Sequence, residues 1–100
     1  MRVQLLYFDG CPNWRLLEQR LDDLATEAGI EVERVLIETD EEARSMGFHG
    51  SPSLLLDGRD PFASEGVPVG LTCRVYSASS GLEGSPSVSQ LREVLGLPAL

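Results

Sequence analysis

Apolar residues recur every three or four positions over residues 14–28, with charged or amide residues at most of the positions between them. This spacing is typical of an α-helix with one buried face. Pro12 suits the first turn of the helix, because its missing N–H would be unpaired there, and Gly29 suits a left-handed end. The apolar stripe consists of Trp14, Leu17, Leu21, Leu24, Ala25 and Ala28. The pattern therefore predicts a first helix that includes Pro12 and ends at Gly29.

Four short runs rich in apolar or β-branched residues predict strands. They cover residues 3–8, 30–37, 53–56 and 71–76. The first and third are almost continuously apolar, as expected of buried strands. The last alternates between apolar and polar residues, which is typical of a half-exposed antiparallel strand. In that strand, Leu71, Cys73 and Val75 would share one face, and the simplest interpretation places this face in the core.

Two further helices are marked by the residues that precede them. Thr39 is followed three residues later by Glu42, the spacing of a capping box at the start of a short helix. Ser85 and Pro86 fit the N-cap and the first position of a last helix, which would end at Gly96.

The predicted order of elements is β-α-β-α-β-β-α. One hundred residues suit a single domain, residues 1–100, in which residues 59–70 form a loop insertion between the third and fourth strands. The strand–helix–strand opening requires a right-handed crossover between parallel strands, and we expect the last two strands to be antiparallel. The sequence therefore predicts an α/β fold with a four-stranded mixed sheet and helices on both faces.

The charge and hydropathy of the chain narrow the choice of partners. The net charge of −8 argues against a nucleic acid or an anionic membrane as partner. No apolar run approaches the ~20 residues that a membrane span requires. The first ten residues lack the apolar stretch of a signal peptide, so we expect a cytoplasmic protein. The chain contains no lysine, which excludes Schiff-base chemistry.

Candidate chemistry is limited by the small number of reactive side chains. Cys11, Cys73 and His49 are too few and too scattered for a four-ligand zinc site. No serine lies in a nucleophile elbow, and no glycine-rich phosphate-binding loop is present. We therefore expect thiol chemistry, without a metal or a bound cofactor.

Two motifs carry a resemblance to a known family. The C-P-N-W sequence at residues 11–14 follows the first predicted strand, and the G-S-P sequence at residues 50–52 precedes the third. With the order of elements, this resembles the thioredoxin fold and is most similar to small thioredoxin-like and glutaredoxin-like proteins. The resemblance covers nearly the whole chain in topology.

The resemblance implies a role for each matching residue. Cys11 matches the nucleophilic cysteine at the start of the first helix, and Pro52 matches the cis-proline that lies against it. Ser51 matches the position whose backbone pairs with bound substrate. Trp14 stands where the second cysteine of a C-x-x-C motif belongs, so the chain resembles a monothiol relative.

The implied function is monothiol exchange, in which Cys11 attacks a protein disulfide or a glutathione mixed disulfide. Glutathione would be a co-substrate, and Pro12, Trp14, Ser51 and Pro52 would contact the ligand. A helix N-terminus lowers the pKa of a thiol, whereas the nearby Asp9 would raise it.

The sequence leaves several alternatives open. Cys11 could be a small apolar filler, and Trp14 could belong to the core. Cys73 could be a core residue or a distant partner that resolves Cys11, and two thiols that meet could hold a soft cation such as mercury. The chain could also be a non-catalytic binding module, in which the 59–70 loop and Phe62 meet a protein partner.

Overall fold

The computed structural model of the chain describes residues 2–63, 69–78 and 81–98. Its elements, in chain order, are β1 (Val3–Tyr7), α1 (Trp14–Ala28), β2 (Val32–Leu36), α2 (Asp40–Met46), β3 (Ser53–Leu56), β4 (Tyr76–Ala78), β5 (Gly81–Glu83) and α3 (Val88–Leu95). The predicted class, a mixed α/β fold, is therefore confirmed.

The main sheet is built around β1. Strand β2 pairs with β1 in parallel, with Leu5 opposite Arg34, and β3 pairs with the other edge of β1 in the antiparallel sense, with Leu5 opposite Leu54. The order of strands is β2-β1-β3. Because β1 is the central strand, the loop that follows it begins at the sheet edge between β2 and β3.

The main sheet lacks the predicted fourth strand in the part of the chain that the structure describes. Within the described residues, the main sheet has three strands, and β4 and β5 form a separate antiparallel pair. Of the predicted strand 71–76, only Tyr76 lies in a strand, and Cys73 forms an isolated bridge with Ser51. The β4–β5 pair lies mostly between the predicted fourth strand and the predicted last helix, where the sequence indicates no strand, and residues 79–80 lie outside the described part.

The prediction of which face of residues 71–76 is buried is also wrong. Arg74 and Tyr76 are buried, whereas Cys73 and Val75 are exposed. A shift of one residue exchanges the two faces of an extended segment. Arg74 and Tyr76 can be buried because their hydrogen-bonding groups have partners inside the protein.

Helices pack on both faces of the main sheet. Successive residues of β1 point to opposite faces, so Leu5 packs in one core cluster and Leu6 in another. The first cluster includes buried residues of α1 and α3, and the second includes Ala43 of α2. This arrangement matches the prediction of helices on two sides.

The helix starts agree with the sequence only in part. The hydroxyl of Thr39 accepts the N–H of Glu42 at 3.1 Å, as predicted for α2. The N-cap of α1 is Asn13 rather than a residue before Pro12.

The predicted cap of α3 is wrong by two residues. Ser87 is its N-cap and forms a reciprocal capping box with Gln90, with hydrogen bonds of 3.2 and 2.9 Å. Ser85 instead lies buried, and its hydroxyl donates to the carbonyl of Pro86. No helix in residues 2–63, 69–78 or 81–98 is long and apolar enough to cross a bilayer.

Candidate functional site

Cys11 lies in the loop that joins β1 to α1. Its N–H donates to the carbonyl of Phe8 at 3.3 Å, which forms a turn directly after the central strand. The residue has no exposed surface. It precedes the N-cap of α1, Asn13, by two positions, so it does not occupy the helix N-cap itself. The loop therefore places the sulfur below the surface, at the carboxyl edge of the main sheet.

Cys11 is paired with Cys73 in a disulfide, the pairing that the sequence left open. The two Cα atoms are 5.7 Å apart, within the range of protein disulfides. Neither cysteine is therefore a free thiol in this structure. The two residues differ in access, since Cys11 is fully buried and Cys73 is exposed.

Ser51 contacts both of the segments that the disulfide joins. Its N–H donates to the carbonyl of Thr72 at 2.7 Å, and its carbonyl accepts the N–H of Arg74 at 2.9 Å. Its hydroxyl accepts the N–H of Phe8 at 3.3 Å. Its carbonyl oxygen is also 3.6 Å from the Sγ of Cys11, a contact in which only the reduced thiol would have a hydrogen to donate.

Gly50 allows the 72–74 segment to approach this closely. Its φ is +110°, a backbone conformation that residues with a side chain rarely adopt. A Cβ atom at this position would lie 3.1 Å from both the Cβ of Arg74 and the carbonyl oxygen of Thr72. The absence of a side chain at residue 50 is therefore part of the geometry of the site.

Arg74 holds the segment from within the protein. Its guanidinium donates to the carboxylate of Asp60 at 2.5 Å, to the hydroxyl of Ser53 at 3.1 Å and to the carbonyl of Phe62 at 2.8 Å. The side chains of Arg74 and Asp60 are only 7% and 6% exposed. The other oxygen of Asp60 accepts the N–H of Phe62. We call this set of contacts the Arg74 anchor.

Tyr76 extends the anchor to the loop before β3. Its hydroxyl donates to the carbonyl of Pro52 at 2.6 Å, and the Ser51–Pro52 peptide is cis. Burial raises the pKa of Tyr76, so its hydroxyl keeps its proton and remains a donor. The Tyr76 ring packs edge-on against Phe62. Phe62, proposed from the sequence as a partner contact, thus packs against the protein's own core.

Trp14 takes part in packing at the start of α1. Its ring stacks on Tyr7, with a distance of 4.4 Å between centroids, and it packs against the first core cluster. The guanidinium carbons of Arg15 and Arg34 lie 5.4 and 5.9 Å from its centroid. These contacts agree with the alternative that Trp14 is a packing residue.

The remaining predicted ligand contacts differ in access. Pro12 is exposed beside Cys11, whereas Ser51 and Pro52 are fully buried. His49 is half-buried in the loop before them. Among these residues and the two cysteines, Pro12 and Cys73 are the exposed ones.

Sequence reasoning missed the Arg74 anchor. Asp60 and Arg74 are separated by 14 positions, and no periodic pattern connects a turn residue with an extended segment. The only available signal was an arginine between positions predicted to be buried.

In the described ranges, no cluster of three or more histidine, cysteine or acidic residues is arranged to hold a metal ion. The chain shows no match to a family model, to a curated protein or to a solved structure.

The arrangement provides one disulfide between an exposed residue, Cys73, and a fully buried one, Cys11. An external thiolate would approach the pair from the Cys73 side. Thiol–disulfide exchange requires such access to a sulfur atom.

Proposed function

We propose that the protein exchanges thiols and disulfides through the Cys11–Cys73 pair, on a domain of the thioredoxin-like class. Its substrates would be protein disulfides or glutathione mixed disulfides, with glutathione as co-substrate. The observation that carries the proposal is that a fully buried cysteine and an exposed cysteine form one disulfide. This replaces monothiol chemistry by exchange through two cysteines.

The fold supports the assignment to this class. Strands β1 and β2 pair in parallel across α1, as the predicted crossover requires, and Cys11 lies in the loop that follows the central strand. Ser51 pairs through its backbone with the segment that carries Cys73. The resemblance implies substrate pairing at this same backbone position, but both its N–H and its carbonyl are here bound within the protein.

The difference in access assigns a role to each sulfur. In the reduced protein, the Cys73 thiolate attacks a substrate disulfide, forms a mixed disulfide and releases one substrate thiolate. The Cys11 thiolate then attacks the Cys73 sulfur and releases the second substrate thiolate. The two protein thiolates lose two electrons, and the substrate disulfide gains them. Cys73 is thus the entering sulfur and Cys11 the resolving one, which reverses the role predicted for Cys11.

Trapping of the mixed disulfide tests these roles. The Cys11→Ser and Cys73→Ser variants are incubated with oxidised glutathione under native conditions, and the adduct is followed by intact mass. Because exchange depends on access to the sulfur, we expect Cys11→Ser to form the adduct at least ~10-fold faster. The double variant Cys11→Ser/Cys73→Ser is the control for non-covalent association.

Two outcomes contradict the proposal in different ways. Faster adduct formation by Cys73→Ser would restore Cys11 as the nucleophile of a monothiol mechanism. Reaction of either variant only after unfolding would make the disulfide a structural crosslink of a binding module.

A further inference from the structure

The 72–74 segment is held in place by contacts that do not depend on the disulfide. The backbone of Ser51 binds the backbone of both Thr72 and Arg74. The Arg74 guanidinium also donates hydrogen bonds to three separate groups. The buried Asp60 carboxylate makes the shortest of these side-chain contacts, at 2.5 Å. These interactions remain available when the sulfur–sulfur bond is reduced.

We infer that Asp60 and Arg74 are positioning residues of the redox pair, which keep the Cys73 thiol beside the Cys11 thiol in the reduced protein. This inference rests on the proposed function for its biological meaning. In physical terms, the Arg74 anchor raises the effective concentration of one thiol at the other. Groups held in the correct geometry react far more favourably than groups joined by a flexible tether.

The anchor acts differently on the two redox states. In the oxidised protein, the covalent bond keeps Cys73 at Cys11 whether or not the anchor is intact. In the reduced protein, only non-covalent contacts hold the segment, so loss of the anchor gives it additional freedom. This freedom stabilises the dithiol relative to the disulfide. Weakening the anchor therefore shifts the equilibrium towards the reduced form.

The chain contains a second arginine–carboxylate pair away from the disulfide, in which the arginine is equally buried but the carboxylate is 48% exposed, against 6% for Asp60. Arg92 of α3, whose side chain is also 7% exposed, donates two hydrogen bonds to Glu27 of α1, at 3.0 and 2.9 Å. Removal of this carboxylate weakens a buried arginine contact but leaves the 72–74 segment untouched. Glu27→Gln is thus the control for Asp60→Asn.

The experiment measures the equilibrium between protein disulfide and dithiol in buffers of reduced and oxidised dithiothreitol. Species are quantified by alkylation and intact mass, and unfolding is measured separately with denaturant. We expect Asp60→Asn to lower the equilibrium constant for disulfide formation by about tenfold, equivalent to ~30 mV, while Glu27→Gln leaves it unchanged. Arg74→Lys, which keeps the charge but cannot reach all three partners, should shift it in the same direction.

An unchanged constant in both anchor variants, or an equal shift in Glu27→Gln, would overturn the inference. If Asp60→Asn does not fold, Arg74→Lys decides the question. Dithiothreitol reduces an accessible disulfide whether or not it serves a substrate, so the inference can hold even if the trapping experiment rejects the proposed function.

Discussion

Ser51 is the residue at which three separate segments of the chain meet. Its hydroxyl accepts the N–H of Phe8, the residue after β1, and its two backbone groups bind the 72–74 segment. Its carbonyl also contacts the sulfur of Cys11. A buried backbone group without a partner is costly, so each of these contacts restrains the others. The position of the disulfide therefore depends on the close approach of two backbones, which Gly50 allows.

Gly50→Ala tests this close approach, and Gly81→Ala is its matched control. Gly81 has a similar φ of +116°, but among the described residues no atom lies within 4 Å of the position of a Cβ atom there. Both variants lose stability because alanine is strained at positive φ. Gly50→Ala should lose a further ~1–3 kcal/mol, because the added methyl crowds Thr72 and Arg74. Denaturant unfolding measures the difference, and equal losses would show that the contact is unimportant.

At the scale of the residue, the resemblance implied that Cys11 lies near Ser51 and Pro52, and the sulfur of Cys11 does contact the Ser51 carbonyl. The sequence missed what surrounds this contact. Alternation in residues 71–76 gives a period of two without saying which face is buried. The face was decided by Asp60, Ser53 and the carbonyl of Phe62, which together bind Arg74. Such partners are brought together only by the tertiary fold, so local spacing could not reveal them.

At the scale of the element, local signals were sufficient where a helix or strand has its own pattern. The amphipathic stripe of α1 and the apolar run of β1 lie close to their predicted bounds. A strand also needs an edge with which to pair, and residues 71–75 make only an isolated bridge to Ser51 instead of a ladder. The predicted fourth strand was wrong for this reason.

The start of α3 provides a test at the same scale. Ser87→Ala removes the acceptor for the Gln90 N–H and should lower the free energy of unfolding by about 1 kcal/mol. Ser89→Ala makes the same chemical change at an exposed position inside the helix, where alanine is favoured, so no loss is expected. Denaturant melts compare the two, and equal stability of both variants would contradict the assigned cap.

At the scale of the whole molecule, the disulfide joins parts of the chain that are 62 positions apart. Closing a loop of this length stabilises a folded protein by about 4 kcal/mol in the chain-entropy model. A redox-active pair must open without loss of the fold, so the remaining contacts have to keep the reduced chain folded. Two core clusters and the Arg74 anchor supply these contacts.

The most direct test of the central claim is the redox equilibrium of the wild-type protein in glutathione buffers. Alkylation with intact mass counts the thiols, and near-ultraviolet circular dichroism reports whether the chain is folded. We predict that Cys11 and Cys73 appear together as thiols, reversibly, while the chain stays folded. A disulfide that resists glutathione until denaturant unfolds the chain would contradict the account and make the bond structural.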